Sequence, residues 1–297
     1  MHVYTLSIPQ PTSMQAFRTR IAQSSQSAFW RLQDNAIGRI IGRGDEARYV
    51  EVTQAANDPA CWQVAVYAGN PAAEPAVTAV LRRIFSLDAD LSAFYDHCGQ
   101  HPVLAGAISR WWGARLLRDA DPFACALSTI ISQQINLKFA SELKRRLWAL
   151  AGTPVLVDGG TYYADPPPEA IARLDYEELQ ELQFTRRKAE YIIDFARAVV
   201  AGGFDLAALA NLDDETAMAQ LCSLRGFGPW TAECILLFGL GRPDLLPAKD
   251  VGLRRAVTAS LGLEERISEP ELRDMAEAWR PWRSWATYYL WLDGGAM

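Results

Sequence analysis

The sequence lacks the cysteine spacing of a disulfide-stapled or metal-binding protein. Its five cysteines lie far apart, are odd in number and form no Cys-x-x-Cys pair. We therefore expect buried reduced thiols, and neither a disulfide framework nor a zinc or iron–sulfur site. Only three histidines are present, so a histidine-rich metal site is not expected either.

Long apolar runs and a leader-like N-terminus are also missing. The longest apolar segments, such as CILLFGLG, are far shorter than the roughly 20 residues that span a bilayer. The N-terminus has no basic start followed by an apolar stretch, so it does not resemble a signal peptide. We expect a soluble intracellular protein that makes no contact with a membrane.

Positive charge is in deficit, because 29 Lys and Arg face 35 Asp and Glu for a net charge of −6. This balance argues against a protein that coats nucleic acid along its whole surface. Each basic island, taken alone, most simply predicts a solvated helix face, but together they leave room for one local basic surface. The islands contain Lys138, Lys144, Arg145, Arg146, Arg186, Arg187, Lys188, Arg254 and Arg255.

Apolar residues make up 50% of the chain, enough to bury a substantial core. Up to residue 87 the patterns are mixed, with strands predicted at RYVEVTQ and CWQVAVYAG and a helix at EPAVTAVLRRIFSL. From residue 88 to 297 the patterns predict helices, and GTPVLVDGGTYYADPPPEA is predicted to be a loop. The expected fold class is α+β: an antiparallel sheet with helices, then an all-α region in two helical lobes.

A glycine-rich turn stands out in LCSLRGFGPWTAECILLF. Leu221 and Leu224 end one predicted helix and Pro229 begins the next, with Gly226 and Gly228 between them. This predicts a helix–hairpin–helix at about residues 214–238, whose outward backbone N–H groups suit an anion such as a phosphate. An ordinary helical hairpin that uses two glycines is the alternative.

A single aspartate, Asp250, precedes the helical pattern VGLRRAVTASLG. It is typical of an N-cap, and the N-terminus of a helix favours an ionised carboxylate there. A capping role and a chemical role are compatible at this position.

These motifs in this order resemble the helix–hairpin–helix–Gly/Pro–Asp superfamily of DNA glycosylases, and within it the AlkA-type alkylpurine DNA glycosylases. PFACALSTIISQQIN, LQFTRRKAEYIIDFARAV and WRPWRSWATYYLWL are similar to further family segments, so the resemblance covers nearly the whole chain. It implies a monomeric cytoplasmic enzyme, nucleoid-associated if bacterial. The enzyme would extrude alkylated bases (3-methyladenine or 7-methylguanine type) from double-stranded DNA and hydrolyse the N-glycosidic bond, leaving an abasic site for base excision repair.

The resemblance also assigns roles to individual residues. Asp250 would stabilise the oxocarbenium-like sugar and orient the attacking water. The expected pocket residues are Trp230, Trp291 and Cys234, and the expected DNA contacts are Gln134 as the wedge together with Gly226, Gly228, Trp230 and Thr231. Pocket aromatics without clear hydrogen-bonding side chains favour cationic alkylpurines, and the N-terminal domain is expected to give packing support.

No cofactor is expected to be required, although the hairpin in this superfamily often holds a structural monovalent cation, Na⁺ or K⁺. The carbonyl oxygens of Cys222, Arg225 and Phe227 are its candidate ligands by position. Trp230 stands where bifunctional members carry a Schiff-base lysine, so no lyase activity is expected. Two alternatives stay open: a glycosylase for oxidised or deaminated bases, and a noncatalytic protein that binds DNA structures.

Overall fold

An antiparallel five-stranded sheet forms the first part of the computed structural model, which describes residues 1–67 and 73–294. Its order is β1-β5-β4-β3-β2. Buried valines occupy the centre of the sheet, where Val52 pairs with Val64 and Val50 pairs with Val66. The strands are β1 (His2–Ser7), β2 (Trp30–Leu32), β3 (Ala36–Ile41), β4 (Arg48–Ala55) and β5 (Asp58–Val66). The predicted antiparallel sheet is confirmed, and the two predicted strands are β4 and β5; Ala68 and Gly69 of the second lie outside the described residues.

Helices make up most of the remaining described chain, as predicted. They are α1 (Met14–Gln23), α2 (Glu74–Ile84), α3 (Leu91–Cys98), α4 (Ala105–Arg110), α5 (Pro122–Ser132), α6 (Leu137–Ala151), α7 (Pro168–Ala172), α8 (Tyr176–Glu181), α9 (Arg186–Val200), α10 (Asp214–Cys222), α11 (Pro229–Cys234), α12 (Val251–Ser260), α13 (Glu269–Ala276) and α14 (Arg283–Gly294). A π-helical segment, Ile235–Leu240, continues α11. Within the described ranges, no helix is both long and apolar enough to cross a membrane.

The segment predicted to be a loop after α6 contains a small β-hairpin, so that prediction was wrong. Strands β6 (Pro154–Val157) and β7 (Gly160–Tyr163) pair antiparallel. Asp158 and Gly159 form the two-residue connection, and both have positive φ angles, 47° and 77°. Asp-Gly is a preferred pair for a two-residue hairpin turn because both residues tolerate positive φ angles. The sequence could therefore have predicted this hairpin, since apolar and aromatic residues flank the pair.

The C-terminal segment from Pro270 onward divides into two helices. Helix α13 ends at Ala276, a short 3-10 turn follows, and α14 begins only at Arg283. Pro281 lies in the break, where a proline removes a backbone donor and crowds the preceding turn. Helix α14 is buried on all sides, so its apolar and aromatic residues pack against the whole helical region.

One continuous apolar core joins the sheet to the helices. At the junction Phe85 packs edge-on against both Phe17 of α1 and Trp62 of β5, with ring centroids 4.7 and 4.9 Å apart. The same cluster extends to Trp291 in α14. The sheet layer is therefore held firmly against the helices, and α1 is positioned beside the cleft described next. The boundary at residues 87 and 88 stays a prediction.

Candidate active site

A cleft of about 1250 Å³ runs between the helix–hairpin–helix, the α5–α6 loop and α1. It brings together most of the residues singled out from the sequence, although they come from four separate segments of the chain. Lining it are Gln134, Gly226, Gly228, Trp230, Thr231, Cys234, Asp250 and Trp291. The three proposed cation ligands, Cys222, Arg225 and Phe227, do not line it.

Asp250 is the N-cap of α12, and its carboxylate is held by three N–H donors. Oδ1 accepts from the backbone N–H of Leu253 at 2.7 Å and from Nε1 of Trp291 at 3.0 Å. Oδ2 accepts from Nε1 of Trp230 at 3.1 Å. These donors fix the orientation of the carboxylate at the wall of the cleft.

The two tryptophans do more than the sequence indicated. They were predicted as pocket walls that present aromatic faces, and both line the cleft. Each indole N–H is also bound to the carboxylate, which restricts how far the ring can turn. Trp291 is further held by stacking on Phe238, with ring centroids 5.8 Å apart and planes 18° apart. No feature of the sequence announces these hydrogen bonds, because α11, α12 and α14 meet only in the fold.

Cys234 is buried beside this carboxylate and lines the cleft. Burial, and then the negative charges of Asp250 and Glu233, raise the pKa of its thiol well above the ordinary value of 9. The thiol therefore stays protonated at neutral pH and is a poor nucleophile, so Cys234 contributes to the shape of the cleft and not to its chemistry.

The two hairpin glycines serve different purposes. Gly226 has φ +90°, and a Cβ there would meet the ring of Tyr191 at 2.3 Å. Gly228 is the N-cap of α11 with φ −94° and ψ 176°, which any residue can adopt, and a Cβ there would meet nothing within 4 Å. Gly228 therefore does not use the backbone freedom of glycine, and what distinguishes it is the absence of a side chain next to open space.

Thr231 is buried at the wall of the cleft, and its contact with DNA stays a prediction. Its Oγ1 accepts a hydrogen bond from Nε2 of Gln133 at 2.9 Å, and the same Nε2 donates to the carbonyl of Gly226 at 2.9 Å. Gln133 thus ties the hairpin to the end of α5. The next residue, Gln134, is exposed and has φ 55°, an uncommon angle for a residue with a side chain.

Lys188, taken from the sequence as part of a solvated basic face, is half-buried under this loop. Its Nζ donates to the carbonyls of Ile131 and Gln133 at 2.6 and 2.7 Å, and burial lowers its pKa to about 8. A lysine at the C-terminal end of α5 satisfies carbonyls that the helix leaves without partners. Lys188 and Gln133 together hold Gln134 in position at the cleft.

Exposed cations flank the cleft on its open side. Lys138, Lys249 and Arg255 line it, and in the described part of the chain none of them has a carboxylate within 4 Å. By contrast Arg145 and Arg146 both pair with Glu142. Free positive charge therefore flanks the cleft that holds Asp250, although the chain as a whole is acidic, and this local charge suits a polyanion.

Of the predicted cation ligands, Cys222 is the last residue of α10, and Arg225 and Phe227 lie in the turn between α10 and α11. Among residues 1–67 and 73–294, no hydrogen bond reaches the carbonyl oxygens of Cys222, Arg225 and Phe227. The Arg225 side chain is paired with Glu190 at 2.5 Å, and the Phe227 ring is buried against Phe195 at 5.0 Å. The three carbonyls are thus available to a cation, and the cation itself stays a prediction.

Comparison with known proteins agrees with this arrangement. Residues 127–283 match the family model described as the HhH-GPD superfamily of base excision DNA repair proteins. The chain belongs to this superfamily. Residues 12–125, which include most of the sheet, match the family model described as the N-terminal domain of 8-oxoguanine DNA glycosylase.

Individual HhH-GPD relatives cover much or all of the chain. YfjP of Bacillus subtilis, provisionally named a DNA-3-methyladenine glycosylase, is 38% identical over 71% of this chain and 72% of its own length. The DNA-3-methyladenine glycosylase of the same organism is 28% identical over 97% of this chain and 96% of its own. The 3-methyladenine DNA glycosylase of Archaeoglobus fulgidus has the same fold, with a TM-score of 0.86 over 98% of both chains at 24% identity.

The site contains polar residues that the sequence analysis missed. Arg20 of α1, Ser25 in the turn after it, Asp119 before α5 and Lys144 of α6 all line the cleft. The expectation of a pocket without clear hydrogen-bonding side chains was therefore wrong, and two of these residues, Arg20 and Ser25, come from the N-terminal part of the chain. A signal existed, since Lys144 lies on the same helix face as Ala140 and Leu147, where a charge is unexpected.

Proposed function

We propose that the protein is a monofunctional DNA glycosylase that removes alkylated bases from double-stranded DNA. The observation that carries the proposal is the carboxylate of Asp250, fixed by three N–H donors inside a cleft walled by two indoles. Names of the relatives point the same way, because two of those compared are DNA-3-methyladenine glycosylases.

The proposed reaction begins with extrusion of the damaged nucleotide into the cleft, with Gln134 filling the gap in the base stack. A base methylated on a ring nitrogen is cationic, stacks well against Trp230 and Trp291, and leaves readily. As the glycosidic bond breaks, the sugar becomes positive and the carboxylate of Asp250 stabilises it. The same carboxylate orients the water that adds to the sugar. Because three hydrogen bonds already fix the carboxylate of Asp250, it needs little reorganisation when the sugar becomes positive.

We expect no lyase step, because the hairpin carries an indole where a Schiff-base amine would be needed. That indole is engaged with Asp250. Lys249, next to Asp250 in sequence, is exposed and is one of the three cations that flank the cleft; it does not occupy the hairpin position of the Schiff-base amine. Hydrolysis should therefore leave intact strands with abasic sites.

The experiment that tests this function measures base release from methylated duplex DNA and scores free base separately from strand breaks. We expect free methylated base, intact abasic strands, and no release from undamaged DNA. An 8-oxoguanine duplex belongs in the same assay, because the match of residues 12–125 favours oxidised bases as the second candidate class. Release of 8-oxoguanine alone, or DNA binding with no base release, would contradict the proposal.

Changing Gly228 to alanine is expected to weaken DNA binding about 10-fold with little change in stability. A Cβ at this N-cap meets no protein atom, but it would stand where a phosphate approaches the backbone N–H groups of α11. Binding to an abasic-site duplex by fluorescence anisotropy measures the effect. Gly203→Ala, at the end of α9 and away from the cleft, is the matched control and should bind as the wild type does.

Changing Trp291 to phenylalanine is expected to slow base release about 10-fold while the protein stays folded. Phenylalanine keeps an apolar face against Phe238 but removes the N–H that holds Oδ1 of Asp250, and a hydrogen bond to a charged group contributes about 1.5–3 kcal/mol. Single-turnover kinetics with saturating enzyme measure the chemical step. An unchanged rate would show that the ring acts only as a wall.

Further features belong to the same proposal. The hairpin carbonyls of Cys222, Arg225 and Phe227 would hold a Na⁺ or K⁺ ion, which would add positive potential beside the bound phosphate. No other cofactor is required by this chemistry. We propose that the protein works as a monomer in the cytoplasm, where its DNA substrate is found.

A further inference from the structure

Three ionisable side chains form a polar group within the cleft, away from the exposed cations. Arg20 is 4% exposed, Asp119 is 7% exposed and Lys144 is 3% exposed, yet all three line the cleft. Among the described residues, none of the three has an oppositely charged group within 4 Å. Lys144 donates one hydrogen bond to Oγ of Ser25 at 2.7 Å.

This polar group is linked to the carboxylate site through two intervening residues, Phe238 and Trp291. The backbone N–H of Asp119 donates to the carbonyl of Phe238 at 3.2 Å. Phe238 stacks on Trp291, whose indole N–H binds Asp250. Asp119 lines the same cleft as Trp230, Trp291 and Asp250. A base that enters the cleft and stacks on the two indoles therefore shares it with Asp119.

The burial of these charges is unfavourable for the protein alone. A buried ion costs several kcal/mol unless good partners surround it. Arg20 has a side-chain hydrogen bond to Tyr288, but its Nε and Nη1 have no hydrogen-bond partner among the residues that the structure describes. Asp119 receives a hydrogen bond from the Cys125 thiol, a weak donor for a carboxylate. Arg20, Asp119 and Lys144 thus line the cleft with incomplete hydrogen bonding. A ligand that supplies the missing donors and acceptors would stabilise them.

We propose that Arg20, Asp119 and Lys144 read the hydrogen-bonding edge of the extruded base and select a guanine-type edge over an adenine-type edge. This inference rests on the proposed function and names the substrate class within it: 7-alkylguanine is favoured over 3-alkyladenine.

The match is one of donors and acceptors. A guanine edge offers the O6 carbonyl, with two lone pairs for the two cations, next to N1–H and N2–H groups that can both donate to one carboxylate. An adenine edge offers a single acceptor, N1, next to one amino group. Since a buried polar site left without its partners is costly, the poorer match should be rejected.

Charge distribution favours the same base. The polar group has two cations and one anion, so it repels a positive ring placed against it. In 7-methylguanine the positive charge lies mainly on the imidazole ring, away from the O6 edge. In 3-methyladenine it lies on the six-membered ring that would face Arg20 and Lys144.

Competition between two bases in one tube tests the inference. Duplex DNA treated with a radiolabelled methylating agent contains both 7-methylguanine and 3-methyladenine, and chromatography measures the release of each. We expect Asp119→Asn to lower release of 7-methylguanine by about 10-fold or more and release of 3-methyladenine by less than about 3-fold. The matched control is Asp121→Asn. Asp121 lies two residues after Asp119 and is the N-cap of α5, a position that asparagine fills as well as aspartate, so this variant should change neither rate.

Equal losses of both bases in Asp119→Asn, with thermal unfolding unchanged, would overturn the inference and assign Asp119 a structural role. If the wild type releases neither base, the proposed function fails, and a second measurement judges the inference by itself. Free 7-methylguanine and free 3-methyladenine are titrated into the wild type and into Asp119→Asn, with tryptophan fluorescence as the readout. Tighter binding of 7-methylguanine that Asp119→Asn abolishes supports the inference, and equal binding of the two bases overturns it.

Discussion

Asparagine in place of Asp250 is expected to slow base release by about 10³-fold while the protein folds and binds damaged DNA as before. The substitution removes the negative charge that would stabilise the sugar cation, and preorganised electrostatic groups of this kind contribute about 10²–10³-fold in rate. The loss of a water-orienting carboxylate adds to it.

The fold should tolerate this change because asparagine is as good an N-cap as aspartate. Its amide oxygen can still accept from the N–H of Leu253, the bond that starts α12. One of the two indole donors, from Trp230 or Trp291, would face an amide NH₂ group, which costs about 1–3 kcal/mol locally. The variant should therefore be slightly less stable and nearly inactive.

Single-turnover release of methylated base, together with binding to an abasic-site duplex, checks this result. Asp90→Asn is the matched control, because Asp90 caps α3 through the N–H of Ser92 at 2.9 Å and lies outside the cleft. That variant should keep full activity. A similar rate of base release for Asp250→Asn and the wild type would remove Asp250 from the chemistry, whereas DNA binding with no base release by either protein would favour a noncatalytic DNA-structure binder.

Local chemistry explains which features could be predicted from the sequence. Asp121 and Asp250 each precede a helical pattern, and both are N-caps in the structure. The Gly-Phe-Gly-Pro turn predicted the hairpin because proline begins a helix and glycine allows the positive φ of Gly226. These signals lie within a few neighbouring residues, so no tertiary information is needed to interpret them.

The missed features depend on residues far apart in the chain. The indole of Trp291 reaches Asp250 across 41 positions, and Lys144 reaches Ser25 across 119. Lys188 belongs to a helix whose basic residues predict solvent exposure, yet the end of α5 covers it. A single sequence gives the composition of each segment but not the partner that buries it.

The loop between α5 and α6, which carries Gln133 and Gln134, shows how contacts between distant parts of the chain support the site. Gln134 adopts an uncommon backbone angle at the edge of the cleft. Gln133 fastens the loop to the hairpin from one side, and Lys188 fastens it to α9 from the other. The loop that would enter the DNA stack and the turn that would bind its phosphate are therefore fixed relative to each other, so both can engage one duplex without rearrangement.

Alanine in place of Gly226 is expected to lower the free energy of unfolding by about 2–5 kcal/mol, far more than Gly228→Ala does. Two effects add. A left-handed backbone angle costs a residue with a Cβ about 1–2 kcal/mol, and forcing an atom into a packed site costs about 1–3 kcal/mol. At Gly226 both apply, since φ is +90° and the new Cβ would lie 2.3 Å from Cγ of Tyr191.

Urea unfolding of Gly226→Ala, Gly228→Ala and the double variant Gly226→Ala with Tyr191→Ala separates these effects, with Tyr191→Ala alone completing the cycle. Removing the ring relieves the clash but not the backbone strain, so the second substitution should cost less stability in the Gly226→Ala background than in the wild type. If Gly226→Ala and Gly228→Ala were equally stable, the hairpin would not need the positive φ. Its conformation would then be imposed by the packing of α10 and α11 rather than by the glycine, and the close approach of Tyr191 would have no part in holding the phosphate-binding turn.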